Sequence, residues 1–187
     1  MYVTYKGGAK MERVGVVLDF FNFQNAVTKS EIELNYEKFL EYLGDLEEGR
    51  KLVDAYAYFN LNYTTENIER LLIEDIEKSG FLIKKKINYS KEEEECNFYQ
   101  TEMIIDILKI VSELKIDILV FGSADSIFYP LLKTLRDKGV RVELISVENY
   151  ENERLKGISQ GVISINEFIK ENQGETNDIN NSENEEE

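Results

Sequence analysis

Short β-branched runs alternate along this chain with longer stretches whose apolar residues recur every three or four positions. Val14–Leu18 reads VGVVL, a continuous apolar run suited to a strand covered on both faces, and Asp19 follows it directly. Lys51–Phe59 alternates as a strand, Phe81–Ile87 does so more weakly, and Ile116–Phe121 and Val140–Val147 add two further runs. Between them, Tyr36–Leu43, Thr65–Ser79, Asn97–Leu114 and Ser126–Lys138 carry helical spacing. Thr65 reads as a helix cap, and Gly80 and Gly139 read as stops. Pro130 fits a helix whose first turn begins just before it. Phe168 and Ile169 close the pattern in a short C-terminal element.

Strands separated by helices of this length imply βαβ units and a mostly parallel sheet. Two of the strands, Val14–Leu18 and Ile116–Phe121, lead into acids at their carboxyl ends, Asp19 and Asp125. In open α/β sheets that edge, at the reversal of strand order, is where ligands bind. Residues 1–11 read as an N-terminal extension, 12–170 as one domain, and 171–187 as a disordered acidic tail with almost nothing apolar to offset chain entropy. Lys91–Glu95 (KEEEE) reads as a solvated loop, and Asn60 as a turn residue.

The residue inventory narrows the chemistry. There is no histidine, which excludes a Ser-His-Asp triad, a Cys-His pair and a histidine general base. Cys96 stands alone, so it forms no intrachain disulfide and builds no Cys/His zinc site. Carboxylates, lysines, tyrosines, hydroxyls and oxygen-bound hard cations remain. No apolar run approaches the roughly 20 residues of a membrane span, and Met1–Lys10 lacks the apolar core of a signal peptide, so the expected location is cytoplasmic.

The net charge of −15 speaks against a broad electrostatic attraction to nucleic acid. Seven acids and no Lys or Arg in residues 171–187 account for almost half of it, leaving −8 on residues 1–170. A local basic patch is compatible with that balance. Lys84, Lys85 and Lys86 form the one three-lysine run, which reads as an exposed edge or as a phosphate track.

Val14–Phe23 (VGVVLDFFNF) resembles the opening strand of NYN domains, with Asp19 and Asn22 at that family's Asp and Asn. Val120–Leu132 (VFGSADSIFYPLL) resembles the family's S-G-D-S-D-F-x-P-L stretch; Pro130 aligns the two and puts Ser123, Asp125 and Ser126 on the motif. VRVELISV and SQGVISINEFI are similar to its last strand and C-terminal element, so the likeness spans roughly residues 12–170. Asp106, nineteen positions before Asp125, matches the Asp of the family's preceding helix. Two positions depart from the pattern: Gln100 stands where a companion acid belongs, and Ile127 replaces the second Asp of S-G-D-S-D. Glu102 lies one turn before Asp106, on the same helix face.

The resemblance implies a three-layer PIN/NYN-like fold, an open, mostly parallel sheet with helices on both faces. It also implies a metal-dependent ribonuclease. Asp19, Asp106 and Asp125 would hold Mg²⁺ or Mn²⁺, and Asn22, Ser123 and Ser126 would line the RNA site, with Lys84, Lys85 and Lys86 as candidate phosphate contacts. A divalent cation relieves the repulsion between gathered carboxylates and keeps waters in its shell. The alternative is the same fold with a degraded site, acting as an RNA-binding or protein-interaction module. The oligomeric state stays open, a homodimer included.

Simpler readings exist for each residue. Singly, Asp19 and Asp125 read as turn or N-cap residues; paired at one sheet edge, they read as a site. Asn22 reads equally as a cap, Asp106 as a solvent-facing helix residue, and Glu102 as structural. Tyr56, Tyr58, Phe59 and Tyr63 read as packing rather than as a base-stacking platform.

Overall fold

The computed structural model describes residues 11–45, 49–62, 66–88 and 98–171. In chain order the elements are β1 (Glu12–Asp19), α1 (Phe20–Lys29), α2 (Tyr36–Asp45), β2 (Arg50–Asn62), α3 (Glu66–Lys78) and β3 (Leu82–Asn88). There follow α4 (Phe98–Glu113), β4 (Ile118–Gly122), a 3-10 turn (Ser126–Phe128), α5 (Tyr129–Asp137), β5 (Arg141–Ser146), α6 (Glu153–Lys156) and β6 (Gly161–Ser164). A helical segment over 165–171, α7, ends the described chain.

The six strands of the described residues are all parallel, in the order β3-β2-β1-β4-β5-β6. The chain winds outward from β1 to β3, returns to β4 on the other side of β1, and winds outward again. The switch point therefore lies between the carboxyl ends of β1 and β4, where Leu18 pairs with Gly122. This is the parallel α/β sheet that the alternation of blocks predicts, in the three layers that the resemblance implies.

From Val14 onward β1 is buried on both faces, as is all of β4, which is why these sequences are continuous rather than alternating. On one face Phe20, Phe23, Phe39, Leu43, Ile76 and Phe168 bring α1, α2, α3 and α7 against Val16, Leu18 and Phe59. On the other, Met103, Ile107, Leu132 and Leu155 bring α4, α5 and α6 against Val17, Tyr58, Phe121 and Val142. Burial of two such apolar layers, at about 25 cal/mol per Å², is the main stabilising term.

Several elements differ from the sequence reading. α1 follows β1 without a loop and is absent from that reading: Asp19 occupies its N-cap position, but the apolar run VGVVLDFFNF passes straight through the boundary and hides the change of period. β2 is longer than Lys51–Phe59 and includes Asn60, which is a strand residue accepting a hydrogen bond from Asn88 Nδ2 at 2.6 Å, not a turn residue. β6 and α6, each of four residues, are too short to leave a periodic signal. Gly80 and Gly139 act as expected, ending α3 and α5 at φ of 99° and 87°. The Thr65 cap, the KEEEE loop, the acidic tail and almost all of the N-terminal extension lie outside the described residues. Among the described residues no helix is long and apolar enough to cross a membrane.

A candidate acidic and nucleic-acid-binding edge

Asp19 is the last residue of β1 and is 6% exposed. Two hydroxyls approach its carboxylate. Ser123 donates to Oδ2 at 2.9 Å from just beyond β4, and Tyr99 of α4 lies 3.1 Å from Oδ1. The Tyr99 hydroxyl also lies 3.0 Å from the Tyr58 carbonyl oxygen, so its single proton serves both acceptors. Burial pushes the Asp19 pKa up from 3.8 to about 6; the two hydroxyls oppose that rise and the nearby charge of Asp125 adds to it. Burial and the neighbouring Asp19 charge also raise the Tyr99 pKa far above 10, so this phenol remains a donor.

The segment 123–125 is fastened from several sides. Asn22, in the first turn of α1, accepts from the Ala124 N–H at 2.8 Å, and Asn152 donates to the Ala124 carbonyl at 2.8 Å. Ser123 Oγ accepts from the Asp125 N–H at 3.1 Å. Asp125 Oδ1 accepts from the Ile127 N–H at 2.9 Å, so this carboxylate caps the 3-10 turn that leads into α5. Ser126 is exposed at the start of that turn. Gly122 lets β4 pack closely here: a Cβ would lie 2.6 Å from Cδ2 of the fully buried Leu18.

Asp106 belongs to a different cluster. Its Oδ2 accepts from the Tyr58 hydroxyl at 2.8 Å and pairs with Lys84 Nζ at 3.2 Å. One turn earlier on α4, Glu102 pairs with Lys86 at 3.0 Å. Tyr58 and Tyr99 thus stand between Asp106 and Asp19, linked through the Tyr58 main chain. Among the described residues no group of three or more acids comes together as a metal-holding cluster. Asp19 and Asp125 are close enough to feel each other's charge, whereas Asp106 is bound to its own lysine and tyrosine. The donor set therefore does not fit a three-carboxylate cation site. Ile127, at the position of the missing acid, is half-buried against the core layer that holds α4, α5 and α6.

Lys84, Lys85 and Lys86 on edge strand β3 join Lys109, Glu102 and Asp106 of α4 in lining an open trough of about 710 Å³, solvent at its mouth included, over the buried Tyr58, Tyr99 and Met103. Lys84 also lies 5.7 Å from the centre of the Tyr56 ring. The sequence reading does not single out Tyr99 or Asn152 and treats Tyr58 as packing. The available signal is a phenol on β2 and another on the acid-bearing helix α4, which becomes legible only once β2 and α4 are known to be neighbours.

An all-parallel, doubly wound sheet with an acidic pair at its switch point defines an open three-layer α/β domain. The family model for the NYN domain matches residues 13–166, and the chain belongs to that family. Among solved structures it is similar to a crystal structure of a protein of unknown function from Vibrio parahaemolyticus RIMD 2210633. That likeness has a TM-score of 0.69 at 15% identity, covers 85% of this chain and 96% of the other, and shows the fold. Comparison with curated proteins gives no match.

Proposed function

We propose that this NYN domain binds single-stranded RNA along the carboxyl edge of its sheet, as a binding module rather than a metal-loaded hydrolase. Binding is supported by the trough, which gathers four lysines beside two phenols on a chain of net charge −15. Ammonium groups meet phosphates there, Lys84 and Lys86 alongside the carboxylates they pair with. The observation that carries the non-hydrolytic half is the Lys84–Asp106 pair at 3.2 Å, which neutralises internally one of the three carboxylates an expected Mg²⁺ or Mn²⁺ would use. Tyr58 occupies the same carboxylate oxygen.

Hydrolysis is the second reading, and one observation favours it. Asp19 and Asp125 repel each other at the switch point, the kind of stress a divalent cation relieves. Calorimetric Mn²⁺ titration and an RNA cleavage assay, on wild type and Asp125→Asn, separate the two. The binding module gives no Mn²⁺ heat that depends on Asp125 and no cleavage. Mn²⁺ binding and cleavage that both vanish in Asp125→Asn would establish the hydrolase instead.

A further inference from the structure

The helices that cover the sheet differ in what they turn to solvent. The outward faces of α2, α3 and α5 carry charges, Glu37 and Glu41, Asp75 and Glu77, and Lys133 and Asp137, as amphipathic surface helices do. α4 is different. Its exposed stripe runs Phe98, Thr101, Ile105, Leu108 and Ser112, without a charge on a chain that is 32% charged. Phe98 and Ile105 are 51% and 49% exposed and Leu108 is 36% exposed, although these residue types belong inside. The stripe advances in alternating steps of three and four residues, the spacing of a seam that packs against another helix.

The charges beside the stripe say which helix. Glu102 and Lys109 stand on the same flank, seven positions apart, and both are exposed. Suppose two copies of α4 pack antiparallel about a two-fold axis, with Ile105 of each against Leu108 of the other. That register sets Thr101 against Ser112 of the second copy and Glu102 beside its Lys109, and the symmetry makes each pairing twice. The seam is then apolar at its centre and hydroxyl-bearing toward its ends, with opposite charges meeting along its flank. A parallel pair would set Lys109 against Ile104 instead, which offers it no charge. Glu102 holds Lys86 through Oε1 at 3.0 Å and keeps its side chain 59% exposed, so a second cation has access to it.

We propose that α4 is a homodimer interface, at which two copies of this chain pair antiparallel with Ile105 and Leu108 at the centre. The pairing does not depend on the RNA-binding reading, but it bears on the trough. Glu102 and Lys109 line that trough, so the second copy brings its own Lys109 to the rim, and the two troughs open on the same side of the pair. A single pair of 16-residue helices falls at the small end of specific interfaces, below roughly 1,200 Å² in total, so the dimer should dissociate on the order of micromolar.

Sedimentation equilibrium of the full chain over a concentration series tests the interface. Wild type should show a monomer–dimer equilibrium. Ile105→Asp should weaken it about tenfold or more, the size of a loss at the centre of an interface. Glu102→Lys and Lys109→Glu each bring like charges together at both flanks, and each alone should weaken the dimer about fivefold or more. A one-to-one mixture of these two variants should recover the dimer, because both flanking contacts then join opposite charges. Lys133→Glu, on α5, makes the same change in net charge as Lys109→Glu and should leave the equilibrium unmoved. A chain that stays monomeric at every concentration leaves the stripe to another segment or partner and overturns the interface. So does a dimer that these α4 variants do not weaken while circular dichroism shows a native fold. Failure of the mixture to recover the dimer overturns the antiparallel register.

Discussion

Ser123 donates its hydroxyl to Asp19 across 2.9 Å, and this contact between residues 104 positions apart ties the carboxyl ends of β1 and β4 together. The same oxygen accepts the Asp125 N–H, so one serine sets the spacing of the two acids at the switch point. An unpaired buried carboxylate is expensive, and two hydroxyl donors leave Asp19 tolerable rather than comfortable. Its pKa near 6 expresses that compromise.

Stability should therefore depend on pH through Asp19. Its folded pKa lies above the ordinary value, so between pH 3.8 and about 6 the folded state holds more protons than the unfolded one. Stability then falls as pH rises through that window. Asp19→Asn removes the slope: it should match wild type near pH 4 and exceed it by up to about 3 kcal/mol at pH 8. Urea unfolding of both proteins across this range measures the difference, and parallel curves would contradict it.

Replacing Lys84, Lys85 and Lys86 together with alanine should weaken single-stranded RNA binding and flatten its salt dependence. Three lost phosphate contacts reduce the slope of log K against log salt by about 2. The ion pairs these lysines make are partly exposed, so stability should change by no more than about 1 kcal/mol. Fluorescence anisotropy at several salt concentrations, with a thermal melt alongside, reads both effects.

Ile127→Asp should destabilise the protein by about 1–3 kcal/mol, because the half-buried side chain packs against the core and the new charge would stand two residues from Asp125. The melting temperature should drop, and Mn²⁺ should fail to restore it. Recovery with Mn²⁺ would show that a third acid completes a cation site here.

Gly122→Ala should cost about 1–3 kcal/mol through overpacking. The added methyl would lie 2.6 Å from Leu18 Cδ2, and Leu18 is fully buried with little room to move aside. A lower urea midpoint with an unchanged slope is the expected signature.

The sequence by itself determined the architecture, because parallel strands buried on both faces must be continuous apolar runs, as in VGVVL and ILVFG. It also determined that Asp19 and Asp125 come near the carboxyl edge, since each follows such a run. Residue pattern reports local periodicity and burial, and those two facts are local. Where the local signal is hidden, as at the loop-free start of α1, or too short, as in four-residue β6, the elements were not legible. Only the tertiary structure decided the partners of the acids. Asp106 has family-like spacing, yet β3 runs beside β2 and brings Lys84 and Tyr58 onto its carboxylate. Tyr99 reaches Asp19 because α4 packs over the strands that carry both Tyr58 and Asp19. Pairings between residues tens of positions apart depend on strand order and helix placement, and no sequence window contains that information.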